Sequence, residues 1–134
     1  MEYELKVSNG GNYLIVTHKG NVTGEIALKA VLESHTLARE HGILCILVDA
    51  IEARYFESKM EKYYATVYER FKNQRIDRRT CVALLVDPDD YSHDSMETLM
   101  RIIGHNVTLF RNREKAIKHL KSSGKYDKLR SLVD

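Results

Sequence analysis

Several features that identify a class of protein are scarce or absent in this chain of 134 residues. Its two cysteines and six histidines form no C-x-x-C pair and no zinc-ligand spacing, which excludes the common redox and zinc motifs. Repeats, low-complexity stretches and linker-like segments are absent, so one domain is expected. The longest apolar run, from Ile43 to Val48, is too short to span a bilayer. A net charge of +2 does not favour nucleic acid as the main partner.

The N-terminal sequence and the cysteines favour a protein of the cytoplasm. The first residues, MEYELKV, are acidic where a signal peptide has positive charge followed by an apolar block. Cys45 and Cys81 lie in apolar runs, where free thiols act as small hydrophobic side chains, as expected in a reducing compartment. No catalytic or metal motif is present. We therefore predict a cytoplasmic location, no membrane insertion and no cofactor.

The first third of the chain predicts a β-hairpin followed by a helix. Residues 3–8 alternate between apolar and polar side chains, as in a half-buried strand, and a Gly- and Asn-rich turn leads to a second strand over 13–18. Gly20 is expected to break that second strand. Thr23 is suited to cap an amphipathic helix, which is expected to stop at Gly42.

Two apolar stretches predict the central strands of a parallel sheet. Ile43 to Val48 and Val82 to Val86 lack alternation, and strands that are apolar on both faces are covered on both faces. Asp49 and Asp87 follow these stretches directly, so they are expected to mark the carboxyl ends of the two strands. A short last strand is predicted over 107–110.

Three further helices complete the pattern. Helical spacing of apolar residues begins near Ser58 and again over 96–103, and Asn112 is suited to cap a fourth helix. Strands and helices alternate after the initial hairpin, which predicts an α/β sandwich over residues 1–121. It consists of an N-terminal β-hairpin joined to a mostly parallel sheet of about five strands, with four helices. The tail over 122–134 has apolar residues at the spacing of a short helix.

This order of elements occurs together with several local phrases. They are Gly20-Asn21-Val22-Thr23, Leu47-Val48-Asp49, Arg79 to Val86 leading into Asp87-Pro88-Asp89, and Leu109-Phe110-Arg111 followed by Glu114, Ala116 and His119-Leu120. Together they resemble the STAS-like family, and most of all its branch of small bacterial SpoIIAA-like proteins, also described as STAS/SEC14-type. The resemblance spans residue 1 to about residue 121.

The resemblance implies a non-enzymatic regulatory or protein-interaction module that acts through the loop and helix after the central strand. In the anti-sigma-factor antagonists of the wider family, a serine that opens this helix is phosphorylated by a partner kinase, which switches binding. The matching position here is Ser58 or its neighbour Lys59. The binding or switch candidates are therefore Asp49, Glu57, Ser58, Lys59 and Tyr63.

The residues themselves give Ser58 a structural role as well. Ser58-x-x-Glu61 fits a capping box, in which hydroxyl and carboxylate accept hydrogen bonds from the first free amides of a helix. A phosphate on Ser58 would also lie at a helix N-terminus, where the free amides favour an anion. Both interpretations remain open from the sequence.

The carboxyl ends of the central strands predict a second kind of site. Open α/β sheets bind ligands there, so Asp87, Asp89 and Tyr91 are candidates for a pocket that takes a small ligand or anion. With Asp49 and Asp90 these aspartates could hold Mg²⁺, or each could accept hydrogen bonds from its own following turn. A third interpretation, an enzyme, requires a pocket that gathers Asp49, Asp87, Tyr91 and His93.

Aromatic residues are concentrated after the central strand, in greater number than one buried helix face needs. They are Tyr55, Phe56, Tyr63, Tyr64, Tyr68 and Phe71. Tyrosine combines apolar area with a polar tip and is enriched at protein interfaces. We therefore predict a protein partner or a homodimer that uses this helix and the loop before it.

Overall fold

The strands form one sheet in the arrangement that the alternating pattern predicts. The computed structural model describes residues 3–55, 69, 79–94, 97–98, 101 and 105–126. The five strands lie side by side in chain order, with the first pair antiparallel and the other pairs parallel. The elements are β1 (Tyr3–Val7), β2 (Leu14–Val22), α1 (Gly24–Glu40), β3 (Cys45–Tyr55), β4 (Cys81–Val86), β5 (Asn106–Phe110) and α2 (Arg113–Lys121). The predicted hairpin and mostly parallel five-stranded sheet are confirmed.

Within the described residues there are two helices, which pack on opposite faces of the sheet. Helix α1 contributes to an apolar cluster with Leu14, Ile46 and Leu84, and α2 to a second cluster with Leu47 and Leu85. The two other predicted helices, over 58–71 and 96–103, lie largely outside the described residues. The positions described within them are helical, namely Glu69, Glu97, Thr98 and Arg101.

Strand β2 is longer than the sequence suggests. Gly20 was expected to break it, but Gly20 lies within β2 and pairs with Ala53 of β3. Its φ of 75° lies in a region that glycine adopts without steric cost, so the strand continues through it. The prediction of a strand break at Gly20 is therefore wrong.

Strand β3 is also longer than predicted, and its pairing with β2 shifts register between Thr17 and Lys19. Before the shift, Ile46 and Ala50 face the α1 side and Leu47 faces the α2 side. After it, Ala53 joins the α1 side, because one extra residue in β3 reverses the alternation of its side chains. The register shift thus changes which residues of β3 reach each face.

The helix caps follow the sequence signals. The Thr23 hydroxyl accepts a hydrogen bond from the amide of Ile26 at 3.3 Å, and the Asn112 side chain accepts one from the amide of Lys115 at 3.0 Å. Gly42 has a φ of 66°, in the left-handed region that the residue just after a helix often adopts. Both predicted N-caps and the predicted stop are confirmed.

The two cysteines lie opposite each other on β3 and β4, and both are buried and free. Burial raises the pKa of both Cys45 and Cys81, so neither thiol is activated as a thiolate at neutral pH. The interpretation of both as buried free thiols is confirmed.

The start of the predicted tail packs against the hairpin. The Tyr126 ring lies 6.0 Å from the Tyr13 ring, measured between centroids, and the Asn12 amide donates to the Tyr126 carbonyl at 2.8 Å. The tail helix predicted beyond this point falls at residues 127–134, outside the described part. No helix among the described residues combines the length and apolarity that crossing a bilayer requires.

Replacing Leu47 by Asp is expected to unfold the domain. Leu47 is 1% exposed in the centre of β3, so the substitution removes about 2 kcal/mol or more of apolar burial and adds an unpaired buried charge. The total loss is expected to exceed about 4 kcal/mol, a large part of a typical domain's stability of about 5–15 kcal/mol. The measurement is thermal unfolding followed by circular dichroism. Thr36→Asp on the exposed face of α1 is the control and should melt cooperatively; similar melting of both variants would contradict the burial of Leu47.

Candidate functional site at the carboxyl edge of the sheet

The parallel strands β3, β4 and β5 end at one edge of the sheet, and three segments meet there. They are the end of β3 (Arg54 and Tyr55), the loop after β4 (residues 87–94) and the segment after β5 (residues 111–113). These three segments are termed the carboxyl edge. Open α/β sheets bind ligands and partners in this position.

Asp90 is a buried carboxylate at the centre of the carboxyl edge, with an exposed fraction of 3%. Its Oδ1 accepts a hydrogen bond from the amide of Ser92 at 2.8 Å. Its Oδ2 lies 3.0 Å from Nδ1 of His93 and 3.4 Å from Nη1 of Arg54. A buried charge is costly unless it is paired and hydrogen-bonded, and here both oxygens have partners.

The surroundings decide the protonation of this pair. Burial alone would raise the pKa of Asp90, but hydrogen bonds from Ser92, the neighbouring His93 ring and the positive charge of Arg54 outweigh it, and the pKa is lowered. Burial lowers the pKa of His93, although Asp90 acts to raise it. At neutral pH the aspartate is therefore ionised and the histidine neutral. Since a carboxylate only accepts, Nδ1 of His93 carries the proton and Nε2 is an acceptor.

Ser92 ties the end of β3 to the loop after β4. Its hydroxyl oxygen accepts a hydrogen bond from the amide of Tyr55 at 3.0 Å and lies 3.3 Å from Nδ1 of His93. The Tyr55 and His93 rings meet edge-on, with 5.3 Å between their centroids. Ser92 and Asp90 thus share the same ring nitrogen, which is not the arrangement of a catalytic triad, where base and orienting acid use different nitrogens.

Tyr91 is the exposed residue of the same loop, with an exposed fraction of 67%. The guanidinium carbon of Arg111 lies 4.4 Å from the centroid of its ring. Arg111 in turn donates to Oδ1 of Asp94 at 2.8 Å and to the carbonyl of Asp90 at 3.3 Å. The aromatic ring is therefore held on the surface by a guanidinium that is itself held in place.

The two other strand-end candidates stabilise their own turn. Oδ1 of Asp87 accepts from the amide of Asp89 at 2.8 Å, and the Asp87 carbonyl accepts from the amide of Asp90 at 2.9 Å. For Asp87 this is the alternative that the sequence left open, whereas Asp89 contributes its backbone amide. Tyr91 shares their loop, and its own contact is with Arg111.

The sequence suggested that Asp49 ends the central strand, and this prediction is wrong. Asp49 lies inside β3 opposite Leu85, because β3 continues along β2 as far as Tyr55. Its Oδ2 accepts from Arg113 at 2.6 Å and its Oδ1 from the amide of Ile51 at 3.2 Å, on the face covered by α2.

Two sequence hypotheses that needed Asp49 are therefore not supported by the geometry. Asp49 lies on the α2 face, whereas His93 borders the α1 face, so the pocket proposed to gather Asp49, Asp87, Tyr91 and His93 is not formed. In the part of the chain that the structure describes, no three or more metal-ligating side chains come together, so the four aspartates do not form the Mg²⁺ site considered from the sequence. The other switch candidates, Glu57, Ser58, Lys59 and Tyr63, lie outside the described residues.

The sequence did not predict the ion pairs of three arginines at the carboxyl edge. Arg54, Arg111 and Arg113 each pair with a carboxylate from another segment. The only signal was the position of Arg111 and Arg113 just after the last strand, which places them at the same edge as the aspartates. The pairing itself joins residues far apart in the chain, so no local pattern reports it.

A cavity of about 90 Å³ lies between α1 and the sheet, beside the carboxyl edge. Among the described residues its walls are mainly valine, alanine and leucine side chains, including Val48 and Ala30. Four described residues with polar atoms also border it, namely His18, Ser34, Tyr55 and His93. No sequence pattern indicated this cavity.

The pKa of His18 is strongly shifted. His18 is 5% exposed, and its Nδ1 has no hydrogen-bond partner among the described residues. Burial, and to a smaller extent repulsion by His93, lower its pKa to about 4. His18 is therefore neutral in the folded protein at neutral pH.

We expect acid to destabilise the protein partly through His18. The unfolded chain binds a proton near pH 6.5 and the folded chain only near pH 4, so stability is fully present above pH 6.5 and is lost as the pH falls towards 4. The loss amounts to about 3 kcal/mol. Urea unfolding from pH 7 down to about pH 4.5 should show a smaller loss for His18→Leu than for the wild type. Equal losses in the two proteins would contradict a neutral buried His18.

Comparison with known proteins found similar folds but no significant similarity in sequence. No protein-family model matches the chain, and a search of curated proteins found no significant match. An anti-sigma factor antagonist from Mycobacterium paratuberculosis aligns over 90% of this chain and 93% of its own, with 11% identity and a TM-score of 0.54.

Two further solved structures align less closely. The anti-sigma factor antagonist SpoIIAA in its unphosphorylated form aligns over 90% of this chain and 98% of its own, with 12% identity and a TM-score of 0.48. An uncharacterised protein of the DUF3478 family from Shewanella loihica, with a SpoIIAA-like fold, aligns over 88% and 91%, with 12% identity and a TM-score of 0.46. At such identities the likeness extends to the fold alone. The resemblance predicted from the sequence is thus confirmed at that level: this chain has a STAS-like fold, shared with an anti-sigma factor antagonist.

Proposed function

We propose that this protein is a regulatory module that binds another protein through the carboxyl edge of its sheet. The solved structure that shares its fold with a TM-score of 0.54 is named for antagonism of an anti-sigma factor, which is a protein target. A protein partner for the present chain fits that fold and requires no catalytic group.

The observation that carries the proposal is the exposed, fixed ring of Tyr91. Among the described residues it is the large hydrophobic side chain with a high exposure, 67%, and Arg111 holds it from one side. Tyrosine and arginine are the residue types that most often dominate binding energy at interfaces. A ring that is held before binding loses little conformational entropy when a partner covers it.

The proposed surface extends to the segment that follows β3. Tyr55, the last residue of β3, donates its amide to Ser92, the residue after Tyr91, so the chain leaves β3 next to the exposed ring. That segment contains Glu57, Ser58, Lys59 and Tyr63, which we propose as further contacts, with Ser58 as a candidate for phosphorylation. Asp49 contributes indirectly, since it fixes Arg113.

A small anion at the same edge is the less favoured alternative. Anion sites usually offer free cationic groups or free amides. Here Arg54, Arg111 and Arg113 each have a carboxylate partner within 3.4 Å, so an anion would have to displace it. The amides of Asp89 and Ser92 are likewise taken by aspartate side chains.

The test compares Tyr91→Ala with the wild type in quantitative affinity capture from the native host. A partner that uses Tyr91 should be depleted at least about 10-fold in the Tyr91→Ala sample, as expected for loss of an interface hot spot. Arg111→Lys should weaken capture as well, because lysine keeps the charge but cannot stack on the ring or bond in the same fork. Binding of the captured protein is then measured with purified components by calorimetry.

The matched control is Lys118→Ala, an exposed position on α2 outside the carboxyl edge. It should capture the same proteins as the wild type, and all variants should keep the wild-type melting temperature within about 2 °C, since surface changes cost little. Light scattering distinguishes a homodimer, which Tyr91→Ala should convert to a monomer. The proposal would be contradicted if Tyr91→Ala captured the same proteins as the wild type and the wild type were also a monomer.

A further inference from the structure

We propose that the cavity between α1 and the sheet binds a small uncharged molecule that has a branched or compact apolar body and one hydroxyl group. This ligand site would adjoin the protein-binding surface at Tyr55 and His93 and differ from it in chemistry.

The walls decide the body of the ligand. Side chains such as Val48 from β3, Val82 from β4 and Ala30 from α1 border the cavity and offer no hydrogen bonds. Binding sites for small molecules are typically concave and mainly apolar, with few polar groups that fix orientation. The Ser34 hydroxyl also borders the cavity, but it already donates to the carbonyl of Val31 at 2.9 Å. An apolar body therefore fits these walls better than a polar one.

The two histidines decide the polar group of the ligand. Nδ1 of His18 is buried without a hydrogen-bond partner among the described residues, and such an orphaned group is costly in a folded protein. Nδ1 of His93 is committed to Asp90, which leaves its Nε2 as an acceptor on the ring that borders the cavity. A hydroxyl both donates and accepts, so it can pair with the unpartnered Nδ1 of His18 in either tautomer of that ring.

The two described histidines disfavour ionised ligands. Burial keeps both imidazoles neutral at neutral pH, so an anion would find no positive charge among these two groups. A carboxylate would lose its hydration without compensation, which disfavours it strongly. The same histidines accept a neutral hydroxyl without any change of charge.

The volume limits the size of the ligand. A cavity of about 90 Å³ has room for about three water molecules, or an aliphatic molecule of about five non-hydrogen atoms. An engineered apolar cavity of about 150 Å³ in another protein stays dry and takes up xenon or benzene. Isobutanol, with four carbons and one hydroxyl, matches the walls, the histidines and the volume.

The test is a titration with isobutanol, isobutyrate and xenon, followed through the methyl resonances of the cavity residues. Isobutanol should shift the methyl signals of Val16, Val48 and Val82 and bind roughly 10-fold or more tightly than isobutyrate, because the carboxylate is not compensated. Xenon should shift the same signals, since it requires space and no hydrogen bond. The methyl groups of Leu47 and Leu85, on the other face, should not respond.

Two substitutions separate the hydrogen bond from the space. His18→Leu should weaken isobutanol roughly 5-fold or more and leave xenon binding within about 2-fold, because it removes a hydrogen-bonding group and keeps an apolar wall. Ala30→Leu should abolish the binding of both isobutanol and xenon by filling the cavity. If the Ala30→Leu variant does not fold, Ala27→Leu on the same helix provides the same test. His119→Phe, a histidine replacement on the α2 face, is the control and should leave both probes unaffected.

The result that supports the proposal is selective binding of isobutanol that depends on His18 and on the open volume. Absence of methyl shifts with both isobutanol and xenon would overturn it, because the volume would then be inaccessible. Equal or tighter binding of isobutyrate would overturn the assignment of an uncharged ligand. Isobutanol binding that is unchanged in His18→Leu would overturn the role of the hydroxyl.

Discussion

Asp90 brings a negative charge into the protein interior at the carboxyl edge, and the surrounding segments are arranged to satisfy it. Its carboxylate holds His93 from its own loop and Arg54 from β3, while its carbonyl accepts from Arg111 after β5. Removing one partner of such a buried ion pair is costly, because the remaining buried charge is left uncompensated. The contacts of Asp90 therefore hold together the end of β3, the loop after β4 and the segment after β5. The position of the exposed Tyr91 ring depends on this arrangement.

The register shift between β2 and β3 is the second constraint. It extends β3 beyond the buried apolar run and reverses the alternation of its side chains, so that Ala53 joins the α1 side while Asp49 stays on the α2 side. As a consequence Tyr55 lines the cavity and its amide reaches Ser92. The cavity and the carboxyl edge thus meet at Tyr55 and His93, although they differ in chemistry. One is apolar and neutral, and the other is charged and exposed.

Most of the fold could be predicted from the sequence. The alternation in the hairpin, the apolar runs of β3 and β4 and the caps at Thr23 and Asn112 are local signals, and each corresponds to a local structure. The errors at Gly20 and Asp49 share a cause. Glycine and aspartate usually interrupt strands, but pairing with a neighbouring strand kept β2 and β3 extended through them. Strand pairing is a tertiary interaction, and it can override local preference.

The sequence by itself determined the order of the elements, the burial of the central strands and the edge of the sheet at which polar residues gather. It did so because hydrophobic periodicity and turn chemistry act between near neighbours in the chain. Only the tertiary structure decided that Asp49 pairs with Arg113, that the buried Asp90 pairs with Arg54, and that His18 borders a cavity. These contacts join residues far apart in sequence or depend on how α1 packs, and charge pairing and packing between distant segments leave no pattern in a single chain.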